Sequence, residues 1–410
     1  MKGILVIADG LGGRPTDYKG KTCLQAARTP NLDKLAGRGS TGLLDPVRPG
    51  VRPGSDVAHL SLFGYDPYIE YPGRGVFEAA GVGLEVRPGD ICFRTNFATV
   101  DQEFVVQDRR AGRISSGQKD LELALSELKS KLHPEIEVLF KTSTEHRGAL
   151  ILRGPDLSPN VTEADPHDEG VKVLEVETFV DTLEENRTAE ILNEIIQQSF
   201  EILKDHSVNK LRSENGDYPA NLILPRGASI MPHLESFNSR YGISGSVIAG
   251  GALYIGIGKI LGLEYVPVEG ATGRLDSNVK NKLDAAANEL SHKDFVFVHM
   301  KGPDSAGHDK NAEAKIEFIE KIDEAMGHLT KSLNWNETHL AFTGDHCTPT
   351  DYGDHTGEPV PLFVVGPNVV QDKVDIFCEF SAQEGGLARF SGNVVPMLAS
   401  YCNWLRKFGS

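Results

Sequence analysis

The sequence predicts an α/β fold: a mixed or parallel sheet flanked by helices, built from both ends of the chain, with an α+β domain inserted between them. Three observations carry this. Residues 4–8 form a continuous apolar, partly β-branched run closed by Asp9-Gly10, the pattern of a central strand buried on both faces. From about Val82 the chain changes to short strands around a polar helical stretch. At Gly270-Ala271-Thr272-Gly273 it changes back, and residues 294–299 repeat the apolar strand of the N-terminal region. The expected domains are 1–83 with 272–410, and an insertion over 84–271. A chain of 410 residues exceeds one ordinary core, in keeping with this division.

The elements follow in order. Thr29-Pro30 opens a helix that Gly39 closes. The turns Pro49-Gly50 and Pro53-Gly54 precede Ser55, and 56–63 reads as a short helix. Within the insertion, strands are expected over 91–100, 104–107, 138–141 and 149–152, with helices over 117–132 and 180–206. The Gly-rich segment 244–262 is assigned to the same unit. Beyond it come a helix over 278–290 and strands over 294–299, 338–343 and 362–365.

The net charge of −16 argues against a nucleic-acid or anionic-membrane surface. An anionic substrate is still admissible where cations are gathered locally. The five cysteines are scattered without a CxxC pair, as expected of reduced thiols. The first apolar run ends after five residues at Asp9, too short for a signal segment or a membrane span, so a cytoplasmic location is expected.

The chemistry lies at strand ends. Asp9 follows the first strand, although an aspartate there can simply cap a loop. Asp304 and His308 are four apart, so a helix would turn both to one face. Asp345-His346 follows the strand 338–343, and His355 precedes the next. Six carboxylate and imidazole groups at the ends of one sheet suit two divalent cations, manganese or zinc rather than calcium. Two such ions with a serine oxygen between them are a known solution for phosphoryl chemistry. Ser55, at a helix start where anions are favoured, is either a helix cap or that serine.

These residues stand in the motifs PGSDVAHLSLFGYDP, YPGRGVFEAAGVGL, HMKGPDSAGHD and TGDHCTP, with HTGEPVP after it. Over essentially the whole chain they resemble the alkaline phosphatase superfamily and, more narrowly, its archaeal-type 2,3-bisphosphoglycerate-independent phosphoglycerate mutases. The resemblance implies an alkaline-phosphatase-like fold with an inserted substrate-binding domain. It implies an isomerase of glycolysis and gluconeogenesis that interconverts 3- and 2-phosphoglycerate through phospho-Ser55. It further implies two metal sites: Asp304, His308 and His355 on one ion, and Asp9, Ser55, Asp345 and His346 on the other. Manganese or zinc comes before magnesium or cobalt as the metal, with no 2,3-bisphosphoglycerate. The expected partner is the phosphoglycerate alone, with no nucleic acid or membrane, on a monomer or small homo-oligomer.

The insertion is then expected to grip the glycerate. His146, Arg147, His167 and Arg226 are the candidate contacts, and Asp165 the candidate acid/base. The alternatives are a strand edge for His146-Arg147 and a turn for Asp165-Pro166. Cys347 stands beside the ligand pair where serine is usual in the family, and reads as a small buried thiol or as a further ligand. Other enzymatic readings on this core are a metal-dependent phosphatase, a phosphonate hydrolase or a phosphopentomutase. A pseudoenzyme that binds phosphate or a partner is the non-enzymatic one.

Overall fold

The computed structural model describes residues 1–407 and 409. Among the described residues there are thirteen strands. They are β1 (Lys2–Ala8), β2 (Ser40–Asp45), β3 (Ile91–Val100), β4 (Val106–Asp108), β5 (Glu137–Thr142), β6 (Arg147–Arg153) and β7 (Leu222–Ile230). The rest are β8 (Gly245–Ile248), β9 (Glu264–Tyr265), β10 (Phe295–Met300), β11 (Thr338–Thr343), β12 (Val360–Val365) and β13 (Ala388–Ser391). The chain divides into two compact units, one of residues 1–71 with the chain from 234 onward, the other of residues 72–233.

The first unit holds an eight-stranded mixed sheet in the order β13-β2-β12-β11-β1-β10-β8-β9. The central strands β1, β10 and β11 are almost wholly buried, which is why they read as unbroken apolar runs. On one face, alternate residues Ile4, Val6, Val296, Val298, Leu340 and Phe342 join a core with Leu32, Leu283, Phe318 and Ile322 from the helices Pro30–Ala36, Val279–Glu289 and Ala312–Ser332. On the other, Phe297 meets Phe63 edge-on at 5.1 Å, and Phe295 stacks on Phe237 at 5.2 Å.

Strand direction brings the site together. β1 pairs in parallel with β10 and β11, so their carboxyl ends lie side by side. β12 runs antiparallel to β11, so the loop entering β12 reaches the same edge. β2 is antiparallel to β12, so the chain leaving β2 toward Ser55 starts there too. Five separate stretches of sequence thereby deliver side chains to one edge.

The second unit has a five-stranded antiparallel sheet, β4-β3-β6-β5 with β7 on the other side of β3. The helix Leu183–Leu203 covers it through Ile191, Leu192, Ile195 and Ile196, which pack with Phe97, Leu150 and Leu222.

Two expectations are corrected. The segment 244–262 lies in the first unit: β8 pairs in parallel with β10, and β9 with β8. At the other boundary, the helix Gly75–Gly81 belongs to the second unit. Gly75 lies so close to β3 that a β-carbon there would come within 2.2 Å of the Cys92 carbonyl oxygen. The observed boundaries are therefore 71/72 and 233/234, in place of 83/84 and 271/272.

Candidate metal centre and active site

Ser55 is the first residue of the helix Ser55–Leu62. The cap is Gly54, and no side chain caps this helix start, so the Ser55 hydroxyl is free of that duty. It lies 3.1 Å from His346 Nε2. One turn on, His59 Nδ1–H donates to the Ser55 carbonyl at 2.6 Å, and its fully buried ring packs among Phe63, Tyr254, Phe297 and His299.

Asp9, Asp345 and His346 are completely buried, and their donor atoms cluster within 4.8 Å of one another. His346 Nε2 is 3.4 Å from Asp9 Oδ1 and 3.3 Å from Asp345 Oδ2. Asp304 and His308 share the helix Gly302–His308, as their spacing requires. His308 Nε2 and His355 Nε2 each lie 3.4 Å from the same oxygen, Asp304 Oδ1. His355 also joins Asp304 and His346 in a second cluster, with its ring stacked on that of His346 at 3.5 Å. All seven residues expected at the metal sites thus converge at one edge of the sheet. Cys347 does not join them, since its buried thiol points to the carbonyl oxygens of Glu358 and Pro359.

Residues outside this expected set support it. Asp9 Oδ2 receives three donors: the Tyr254 hydroxyl at 2.5 Å, His299 Nε2–H at 3.0 Å and the Lys301 ammonium at 3.0 Å. Lys301 reaches Asp304 Oδ2 as well, at 2.6 Å. Burial alone would raise the Asp9 carboxyl, but Lys301 and His299 hold it well below the usual range. Asp345 goes the other way, raised by burial and by the Asp9 charge. Burial pushes His346 down to about 3, leaving a neutral ring suited to ligation.

The donor set fits divalent cations on one further observation. Asp9 Oδ1 and Asp345 Oδ2 are buried without a hydrogen-bond partner, and both face His346 Nε2. Two orphaned carboxylate oxygens beside an imidazole nitrogen would be balanced by a cation bound among them.

In the second unit, the candidate acid/base Asp165 forms one cluster with two of the candidate contacts, His167 and Arg226. Asp165 is buried and takes two hydrogen bonds from Arg109, at 2.8 and 2.7 Å, with Arg226 Nη1 at 3.2 Å. Burial would raise its carboxyl, but Arg109, the His167 amide and Arg226 bring it below the usual range. His167 Nδ1 accepts from Arg109 at 3.1 Å, and Nε2–H donates to Glu163 at 3.0 Å. His146 is buried with no hydrogen-bond partner for Nδ1, which lies 4.0 Å from Glu145 Oε2, and is pushed to about 3 by burial and then by Arg147, Arg110, Arg113 and Arg226. Arg147 is exposed and faces Glu145 at 3.7 Å. A cavity of about 470 Å³ is lined by Arg109, Arg110, Arg113 and His167 among others. Arg109 is part of this cluster but outside the expected contacts, because its pairing with Asp165 spans 56 residues.

A mixed sheet that gathers carboxylates, imidazoles and a helix-start serine at one edge defines an alkaline-phosphatase-like fold with a cluster of groups able to hold a metal ion. The family model described as 2,3-bisphosphoglycerate-independent phosphoglycerate mutase matches residues 36–209, and that of type I phosphodiesterase / nucleotide pyrophosphatase matches 254–358. Curated relatives named 2,3-bisphosphoglycerate-independent phosphoglycerate mutase include those of Methanothermobacter thermautotrophicus, 44% identical, and Methanococcus aeolicus, 46% identical, each aligned over 100% of both chains. The solved cofactor-independent phosphoglycerate mutase of Thermoplasma acidophilum is 36% identical with a TM-score of 0.71, over 98% of this chain and 100% of that one. A solved Pyrococcus horikoshii protein is 34% identical with a TM-score of 0.86, over 100% and 99%. The chain belongs to the 2,3-bisphosphoglycerate-independent phosphoglycerate mutase family, isomerases of the intramolecular phosphotransferase type. Among the described residues, no helix is long and apolar enough to cross a membrane.

Proposed function

We propose that this chain interconverts 3-phosphoglycerate and 2-phosphoglycerate, with Ser55 holding the phosphoryl group between the two positions. The observation that carries this reading is the Ser55 hydroxyl, uncapped at a helix start and 3.1 Å from His346 Nε2 within the carboxylate–imidazole clusters. Asp304, His308 and His355 would hold one divalent ion and Asp9, Ser55, Asp345 and His346 the other, manganese or zinc by the donor set. Such ions, when bound, lower the pKa of a coordinated hydroxyl and offset phosphate charge.

The chain's own groups do the rest. Ser55 Oγ gives up its proton and attacks phosphorus as the bond to the glycerate oxygen breaks, and that leaving oxygen takes up a proton in turn, so the step is proton-neutral. On return, the neighbouring glycerate hydroxyl takes the phosphoryl group from serine, and the proton it loses is matched by the one serine regains. The first-turn amides of the helix Ser55–Leu62 and the Lys301 ammonium favour the phosphate oxygens. Arg109 and Arg226, with His146, Arg147 and His167, bind the glycerate, retaining it while the phosphoryl group is on serine. Asp165 is ionised, as a proton acceptor must be. Substrate anions that draw Arg109 and Arg226 away would strengthen it as a base. Because serine stores the phosphoryl group, no bisphosphorylated primer is required.

Coupling product formation to enolase, with free phosphate measured in parallel, tests this reading. The expected result is 2-phosphoglycerate formed with little phosphate. Phosphate release without 2-phosphoglycerate contradicts it and points to a phosphatase on the same core.

A further inference from the structure

Thr348 makes no contact expected of a ligand, yet its hydroxyl touches both ligand sets. Its Oγ1 lies 2.8 Å from Asp304 Oδ1 and 3.1 Å from His346 Nδ1, and all three side chains are buried. We propose that Thr348 is a positioning residue, whose one hydroxyl sets the tautomer of His346 and the orientation of Asp304 for metal binding. The inference rests on the two-metal reading above.

The assignment follows from counting protons. A hydroxyl has one proton and a carboxylate only accepts, so the Thr348 proton lies on the hydrogen bond to Asp304 Oδ1. Thr348 Oγ1 must then accept from His346, which places that ring's proton on Nδ1. A neutral imidazole has a single N–H, so Nε2 carries the lone pair. Nε2 is the nitrogen that faces Ser55 Oγ, Asp9 Oδ1 and Asp345 Oδ2. The opposite tautomer would leave Thr348 unable to satisfy Asp304 and His346 together.

The hydroxyl is also held in place from behind. The Lys315 ammonium, on a fully buried side chain, donates to the Thr348 carbonyl at 2.9 Å and to the Gly12 carbonyl at 3.0 Å. Gly10, at φ +65°, admits the close approach: a β-carbon there would lie 2.6 Å from Thr348 Oγ1. Groups that orient ligands in this way raise metal affinity by fixing tautomer and rotamer before the ion arrives.

The test is manganese binding to the metal-free full chain, by calorimetry, for wild type, Thr348→Val and Thr348→Ser. Thr348→Val keeps the shape and removes both hydrogen bonds, and should weaken binding at both sites by about 10- to 100-fold. Thr348→Ser keeps the hydroxyl and should stay within about threefold of wild type, well short of that loss. Thr348→Ala carries the same expectation as Thr348→Val and replaces it if that variant does not fold. Nitrogen NMR of the metal-free chain should show His346 protonated at Nδ1 in wild type and Thr348→Ser, with the preference lost in Thr348→Val. Wild-type affinity in Thr348→Val, or equal weakening in the valine and serine variants, overturns the inference alone. A wild-type chain that takes up no manganese overturns the two-metal reading, and this inference with it.

Discussion

Lys301 and Asp9 form an ion pair at the heart of the site, with Nζ 3.0 Å from Oδ2 of a carboxylate that has no exposure to solvent. The same ammonium serves Asp304 at 2.6 Å, so one lysine offsets two buried carboxylates. Lys301→Met should destabilise the metal-free protein by about 3 kcal/mol, since both carboxylates lose their cation. Added manganese should narrow that gap, because metal ions supply the missing charge. Denaturant unfolding with chelator and with metal checks both statements. An equal loss under the two conditions contradicts them.

His308 is the most exposed of the expected ligands, at 42% for its side chain, and it donates from Nδ1 only to the Gly353 carbonyl. His308→Ala should therefore leave the fold within about 1 kcal/mol of wild type while removing one equivalent of metal. Elemental analysis after dialysis reads the stoichiometry, and unchanged metal content removes His308 from the ligand set. Activity should collapse in parallel.

Asp165 predicts a pH dependence of stability. Its folded carboxyl is lowered, so its contribution is complete above the unfolded value of about 3.9 and fades as pH falls through the folded one. Asp165→Asn should cost about 3 kcal/mol near neutrality, where Arg109 and Arg226 lose their partner. The two proteins should converge in stability below about pH 4. A gap independent of pH would show that the side chain matters through shape alone.

Lys282 predicts a slope of the same sign in a more alkaline window. It is buried, donates to the His299 carbonyl at 3.1 Å, and burial lowers its ammonium to about 8. The unfolded chain holds that proton up to about pH 10.4, so between the two values unfolding takes up a proton and stability rises with pH. Stability of wild type minus that of Lys282→Met should therefore increase from pH 8 to pH 10. A flat difference contradicts the assignment.

Six of the seven expected ligands are legible in the sequence because each stands near where an apolar strand stops or is about to begin, and parallel neighbours bring such points together; Ser55 is legible from the turns and helix start around it. The residues that orient them are not. His299 lies inside the apolar run of β10, and only the fold shows its Nε2 turned to Asp9. Tyr254 is hidden because the Gly-rich segment 244–262 reads as part of the insertion, and β8, of only four residues, gives little sign that it pairs with β10. Lys301 was within reach, since it directly follows a strand and shares a motif with Asp304 and His308. The Arg109–Asp165 pair and the Thr348 bridge depend on tertiary contacts that no local spacing encodes. The same limit applies to the domain boundary, where the helix Gly75–Gly81 continues the first unit's motifs yet packs with the second.

The central claim is that the phosphoryl group passes through Ser55. Its most direct test is to quench the metal-loaded enzyme during turnover of 3-phosphoglycerate and map phosphorylation by peptide mass spectrometry. The account predicts a phosphoryl group on Ser55 that is lost on chase with unlabelled substrate as 2-phosphoglycerate appears, and absent from Ser55→Ala, which should be inactive yet folded. Turnover by Ser55→Ala at near wild-type rate, or a phosphoryl group carried on another residue, would contradict it.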